Sequence, residues 1–117
     1  MTYVDGFVAA VPTANKQAYL DHAKACVPVF KKYGATRVVE CWGVDVPDGD
    51  LTSFPMAVKC EPGETVVFSW IVWPSKDVRD SGMDEAMKDP FFAGESITQP
   101  FDGSRMIFGG FETILDK

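Results

Sequence analysis

The clearest signal of the fold is a segment near the middle of the chain, which reads Thr65-Val66-Val67-Phe68-Ser69-Trp70-Ile71-Val72-Trp73-Pro74. Its β-branched and aromatic residues are typical of a strand, in which successive side chains point to opposite faces. The two predicted faces are Val66, Phe68, Trp70 and Val72 on one side, and Val67, Ser69, Ile71 and Trp73 on the other. Because both faces are largely apolar, we expect helices to cover one and a second copy of the chain to cover the other.

The surrounding sequence predicts the element order β-α-β-β-α-β. Predicted strands cover residues 3–11, 35–43, 65–73 and 104–114. Predicted helices follow the N-cap candidates Asn15 and Ser75, and Pro28 is expected to kink or divide the first helix. Residues 90–103 are predicted to be irregular, with a short turn at Phe91-Phe92-Ala93. This order indicates a single α+β domain over residues 1–117, with a ferredoxin-like four-stranded antiparallel sheet and two helices on one face. The strand over residues 65–73 is expected to be a central element of this sheet.

Alternation along the four predicted strands sorts their side chains into two sets. The set that contains Ile71 and Trp73 is mostly aliphatic and suits a core under helices. The other set mixes large aromatic residues, glycines and two carboxylates, which suits a binding pocket, since pockets are mainly apolar with a few placed polar groups. We therefore place this second set on the dimer-facing side and expect it to line a candidate ligand cavity. The expected cavity residues are Glu40, Trp42, Phe68, Trp70, Phe108 and Glu112.

Two carboxylates within strands are candidates for chemistry. Glu40 beside apolar rings can act as a general base, because burial disfavours the charged form of a carboxyl group. The alternative is that Glu40 pairs with a nearby Arg or Lys, or lies at the wet rim of the interface. Asp5 is expected to form a cross-strand ion pair with Arg37 or Arg105 rather than to catalyse a reaction.

The charge of the chain argues against several classes of partner. Lys and Arg number 11 and Asp and Glu number 17, which gives a net charge of −6. The basic residues are scattered, so the basic patch with which proteins neutralise nucleic-acid phosphates is missing. No apolar run approaches the roughly 20 residues of a membrane span, and the N-terminal residues 1–6 show no signal peptide. We therefore expect a cytoplasmic protein without nucleic-acid or membrane partners.

Cysteine and histidine usage predicts neither a metal site nor a disulfide framework. Cys26, Cys41 and Cys60 are widely spaced without a CxxC pair, and His22 is the single histidine. This spacing does not match a zinc site, and an odd number of cysteines disfavours a set of disulfides. We expect no metal and no cofactor, and we interpret the cysteines as buried hydrophobic residues and His22 as a structural or surface residue.

Several longer motifs run through most of the chain. They include Tyr3-Val4-Asp5-Gly6-Phe7, Arg37-Val38-Val39-Glu40-Cys41-Trp42-Gly43, Val66-Val67-Phe68-Ser69-Trp70 and Pro100-Phe101-Asp102-Gly103-Ser104-Arg105-Met106. Together they resemble the YbaA-like family of small bacterial proteins of unknown function. The resemblance implies a dimeric α+β-barrel fold and no established reaction, and it links some members to signal-recognition-particle RNA.

Three functional hypotheses follow from these observations. The leading one is a small cytoplasmic homodimer, paired through its sheet face, that binds a small apolar ligand between its sheets. The second is a cofactor-independent enzyme, monooxygenase-like or isomerase-like, as the resemblance to dimeric α+β-barrel proteins implies, with Glu40 as the candidate base. The third is an RNA-associated protein, which the acidic composition disfavours.

Overall fold

Four antiparallel strands and four helices form the α+β structure in the computed structural model, which describes residues 1–94 and 99–117. The strands are β1 (Tyr3–Pro12), β2 (Arg37–Trp42), β3 (Glu64–Trp73) and β4 (Ile107–Glu112). The helices are α1 (Lys16–Lys32), α2 (Phe54–Ala57), α3 (Lys76–Lys88) and α4 (Pro90–Ala93). Within these described residues, no helix has both the length and the hydrophobicity needed to cross a membrane.

Local sequence signals account for most element boundaries, with two corrections. The Ser75 hydroxyl caps α3 by accepting a hydrogen bond from the Val78 amide at 3.2 Å. Asn15 occupies the N-cap of α1, but its side-chain amide donates to the Pro100 carbonyl at 3.0 Å, so its predicted capping role is wrong. Helix α1 also continues through Pro28 without being divided. The short turn predicted at Phe91-Phe92-Ala93 is the one-turn helix α4, and residues 95–98 of the segment predicted to be irregular lie outside the described residues.

The strand order in the sheet is β2-β3-β1-β4, so the doubly apolar strand β3 is central, as predicted from its place in the element order. Strands β1 and β3 pair over ten residues, from Tyr3 opposite Trp73 to Pro12 opposite Glu64. Ile71 and Trp73 are buried under the helices, where Phe30 of α1 and Met83 of α3 pack against their cluster. The expectation that helices cover this face of β3 is therefore confirmed.

The register of β2 and β4 differs from the predicted one. In an antiparallel pair, directly opposite residues share a face of the sheet. The observed pairs are Glu40 with Ser69, Trp42 with Val67, Phe108 with Phe7, and Glu112 with Tyr3. All four predicted cavity residues in these pairs therefore lie on the helix-covered face, and their predicted place on the dimer-facing side is wrong. A shift of one residue moves a whole strand's side chains to the other face, and strands that are apolar on both faces do not reveal it.

The second face of the sheet is covered at one end only. There, Val58, which directly follows α2, is completely buried against Val66. Toward β4 this face is open, and Phe111 is 62% exposed. We call the uncovered part, made of Phe68, Trp70, Ile107 and Phe111, the open face.

Candidate functional site

A cavity of about 450 Å³ lies between the sheet and helices α1 and α3. Its walls are mainly aromatic and sulfur-bearing side chains, which include Phe7, Cys26, Phe30, Met83, Met87, Phe101 and Phe108. Small-molecule sites are typically concave and mainly apolar, with volumes of a few hundred Å³ and a few polar groups. This cavity is therefore the candidate ligand site, and it lies on the helix side of one sheet rather than between two sheets.

One group of polar side chains lines the cavity. The Tyr19 hydroxyl of α1 donates a hydrogen bond to Oε1 of Glu40 in β2 at 2.6 Å. Ser69 of β3 lies directly opposite Glu40 in the sheet and is buried. Tyr19 is also buried, and a buried tyrosine hydroxyl normally finds a hydrogen-bond partner, which here is the carboxylate. We call Tyr19, Glu40 and Ser69 the polar corner.

The protonation states in the polar corner follow from burial. Burial raises the pKa of the Glu40 carboxyl, while hydrogen bonding from Tyr19 and Ser69 opposes the rise. Burial, and then the hydrogen bond to Glu40, raises the pKa of Tyr19, so its hydroxyl keeps its proton. Glu40 as a whole residue remains accessible to solvent, since it borders the cavity. The corner therefore presents an acceptor oxygen to the cavity.

His22 and Cys26 line the cavity from successive turns of α1. The Cys26 Sγ lies 3.7 Å from Nε2 of His22. Burial, with a smaller effect of the Glu40 charge, raises the pKa of the Cys26 thiol to about 11. Burial also lowers the pKa of His22. Both groups are therefore neutral near neutral pH, and the thiol is not activated as a thiolate nucleophile.

The Asp5 carboxylate borders the cavity within an ion pair. Asp5 is 4% exposed and accepts hydrogen bonds from Arg79 of α3 at 2.9–3.2 Å and from the Trp73 indole at 2.9 Å. The predicted ion pair of Asp5 is confirmed, but its predicted partners Arg37 and Arg105 are wrong. The network connects β1, β3 and α3, and it uses this carboxylate for structure.

The six residues predicted to line a cavity do not form one group. Glu40 and Phe108 line the cavity on the helix side, and Trp70 borders it from β3. The Phe68 and Trp70 rings pack together on the other face, with 5.5 Å between their centroids. The sheet therefore separates the residues that alternation had placed together.

Trp42 and Glu112 lie on the helix side but outside the cavity lining. Lys16 lies over the Trp42 ring, 5.4 Å from its centroid, and Glu112 is exposed at the sheet edge. Sequence reasoning missed Tyr19 and Ser69. The sequence signal for both was a hydroxyl in an otherwise apolar segment, the helix stripe for Tyr19 and the strand for Ser69. A buried hydroxyl requires a hydrogen-bond partner, so such a residue indicates a polar contact inside the protein.

A second depression, of about 440 Å³, lies beside the ends of β2 and β3 and is more open and more polar than the first. Cys60, Glu61 and Glu64 are among its lining residues. Within residues 1–94 and 99–117, no three His, Cys, Asp or Glu side chains are grouped as metal ligands. The first cavity, with its apolar walls and polar corner, therefore remains the better candidate site.

Comparison with known sequences gives consistent matches. The family described as "Protein of unknown function (DUF1428)" matches residues 2–103. The chain is 56% identical over 117 residues to the "Uncharacterized protein YbaA" of Escherichia coli strain K12, and the match covers all of both chains. Relatives of the same name from Escherichia coli O157:H7 and Shigella flexneri match with the same identity and coverage. These names state no ligand, reaction or partner.

Proposed function

Since this chain belongs to the DUF1428 family, whose description states no reaction, we propose its function from its geometry. The protein is a homodimer whose protomers each bind a small, mainly apolar molecule between their helices and sheet. The observation that carries the proposal is the cavity of about 450 Å³ with apolar walls and one polar corner. Concave sites with mainly apolar walls and a few placed polar groups are typical of small-molecule binding, and this lining has that character.

Filling the cavity is expected to abolish ligand binding. Ala23 of α1 lines the cavity, and Ala23→Leu places a larger side chain inside it. The neutral fluorescent probe N-phenyl-1-naphthylamine should bind the natural protein and show at least about tenfold weaker binding to this variant, or about 1.4 kcal/mol. Fluorescence titration at fixed protein concentration measures the change.

Ala25→Leu is the matched control, because Ala25 lies on the same helix but is exposed. The control variant should keep the probe affinity of the natural protein. Equal affinities in Ala23→Leu and the natural protein would show that the probe binds elsewhere, and the cavity proposal would be wrong.

The dimer part of the proposal is supported by the open face. Phe68 is 44% exposed and Phe111 is 62% exposed, side by side with Ile107 and Trp70 on one sheet surface. Large exposed apolar patches mark interaction sites in soluble proteins. A second copy that packs its own open face here covers both patches at once, which is the dimeric α+β-barrel arrangement of a ferredoxin-like fold.

A charge placed on the open face is expected to separate the protomers. Phe111→Lys should lower the mass measured by light scattering from twice 12.9 kDa to 12.9 kDa at micromolar concentration. The buried charge would lack a partner in the dimer, which makes association unfavourable.

Phe108→Lys controls for the loss of a large exposed ring in the same strand. Phe108 is 72% exposed, but its cross-strand partner Phe7 places it on the helix side. This variant should remain dimeric. A monomeric natural protein, or a Phe111→Lys variant that stays dimeric, would contradict the proposed interface.

An enzymatic role is the second candidate, and the position of Glu40 favours it. Its carboxylate lines the cavity, and burial raises its pKa toward the range in which a carboxylate acts as a general base. Mass spectrometry of a bound ligand before and after incubation separates the two roles, since an unchanged ligand supports binding alone. RNA association is supported by no basic cluster in the described residues and is not proposed.

A further inference from the structure

We propose that the cavity selects uncharged ligands that carry an O–H or N–H donor and that it discriminates against anions. This inference rests on the proposed function, because it concerns the chemistry of the ligand bound there. The selecting group is the Glu40 carboxylate, which meets the polar end of the ligand. The rest of the wall, mainly aromatic and sulfur-bearing side chains, contacts its apolar part.

Glu40 has acceptor capacity that the protein leaves unused. Its Oε1 accepts a hydrogen bond from the Tyr19 hydroxyl at 2.6 Å, and the carboxylate is also hydrogen-bonded by Ser69. An ionised carboxylate offers about four acceptor positions and no donor. Two hydrogen bonds leave acceptor positions of this carboxylate open, so a ligand whose polar end reaches Glu40 must supply a donor of its own or leave these positions without a partner. A site of this kind favours ligands with a donor over analogues that lack one.

The cavity also lacks a positive charge that is free to neutralise an anion. Of the lining residues in the described part of the chain, only Arg79 carries a permanent positive charge. Its Nε and Nη2 donate to Asp5, and its Nη1 donates to Asp80, at 2.9–3.2 Å. All three guanidinium nitrogens are therefore committed to carboxylates, and an anionic ligand would approach Glu40 without a counter-charge.

The other titratable side chains beside Glu40 add no positive charge to the cavity near neutral pH. His22 is neutral near neutral pH, because burial lowers its pKa. The Cys26 thiol remains protonated, since burial raises its pKa to about 11. Tyr19 keeps its proton and donates a hydrogen bond to Glu40. Of the two carboxyl groups in the lining, Asp5 is paired with Arg79, and Glu40 has no ion-pair partner among the described residues.

Three probes of similar shape test the proposal. They are naphthalene, 2-naphthol and 2-naphthoate, each measured near neutral pH by displacement of N-phenyl-1-naphthylamine from the natural protein. We expect 2-naphthol to bind at least about tenfold more tightly than naphthalene, because it donates to Glu40. We expect 2-naphthoate to bind at least about tenfold more weakly than naphthalene, because its carboxylate meets a like charge.

Glu40→Gln should remove both preferences, since the amide has nearly the same shape, no charge and its own N–H donors. In this variant 2-naphthoate should gain affinity and 2-naphthol should lose it, while naphthalene stays unchanged. The comparison within the natural protein needs no variant, so the proposal remains testable if Glu40→Gln folds poorly.

The outcomes separate this inference from the proposed function. If naphthalene binds in a manner that Ala23→Leu abolishes, but 2-naphthol binds no better and 2-naphthoate no worse, the cavity is a ligand site and the proposed selectivity is wrong. If no probe binds, the proposed function itself is overturned, and the inference with it.

Discussion

Replacing Asp5 by alanine is expected to destabilise the folded protein by about 3–5 kcal/mol, as is typical when one partner of a buried ion pair is removed. Asp5 is 4% exposed and accepts hydrogen bonds from Arg79 and from the Trp73 indole. Alanine would leave Nε and Nη2 of Arg79 and the buried Trp73 N–H without their acceptor. Urea denaturation should show a lower midpoint at unchanged slope, measured at one protein concentration because dimerisation affects apparent stability.

Asp80→Ala is the control, because it removes the other carboxylate to which Arg79 donates, at 2.9 Å. Asp80 is exposed, and exposed ion pairs contribute little to stability. The urea midpoint of Asp80→Ala should therefore shift far less than that of Asp5→Ala. Asp5→Asn should fall between the two, since the amide keeps one acceptor oxygen but faces a donor with its NH₂ group. Equal losses in Asp5→Ala and Asp80→Ala would show that the Asp5 network does not hold α3 to the sheet.

Alanine in place of Gly82 is expected to destabilise the protein by about 2 kcal/mol, within the range for an overpacked interior. Helix propensity alone favours the opposite sign, since alanine in a helix is more stable than glycine by about 1 kcal/mol. An added Cβ at position 82 would lie 2.5 Å from the ring of Trp73, which is completely buried, and would contact the Tyr33 carbonyl oxygen still more closely. Helix α3 would have to move away from β3 and from the end of α1.

Ser81→Ala is the control, because it introduces alanine at the neighbouring, exposed position of α3. This variant should be slightly more stable than the natural protein, by about 0.5 kcal/mol or less. Urea denaturation of both variants gives the comparison. A Gly82→Ala variant that is as stable as Ser81→Ala would show that α3 does not approach Trp73 and α1 as closely as the structure indicates.

Elements that depend on neighbouring residues were predictable from the sequence. Ser75 caps α3 because its hydroxyl reaches the Val78 amide three residues later, which is a local interaction. Gly34 follows α1 with φ of +116°, a conformation that glycine adopts without a steric penalty. The separation of Trp70 from Trp73 also follows from strand geometry alone, since the two are three residues apart in one strand.

The candidate site was only partly predictable. Glu40 and Phe108 line a cavity on the helix side, whereas alternation predicts them on the same side as Phe68 and the Trp70 ring. Alternation within β3 divides its own side chains between two faces. Which of these faces a β2 side chain shares depends on which β2 residue pairs with which β3 residue. Both phases bury apolar side chains, so the hydrophobic pattern of β2 does not discriminate between them.

The sequence alone was sufficient to predict the α+β class and the central position of β3, because periodicity and caps are local features that define the elements and their order. It also predicted an ion pair at Asp5, because a charged residue within a strand requires a partner. Pairing between strands decided the rest. The register opposite Ser69 turned Glu40 toward α1, where Tyr19 donates to it, and the packing of α3 supplied Arg79 to Asp5. These contacts join residues far apart in sequence, and their geometry exists only after the sheet and helices have assembled.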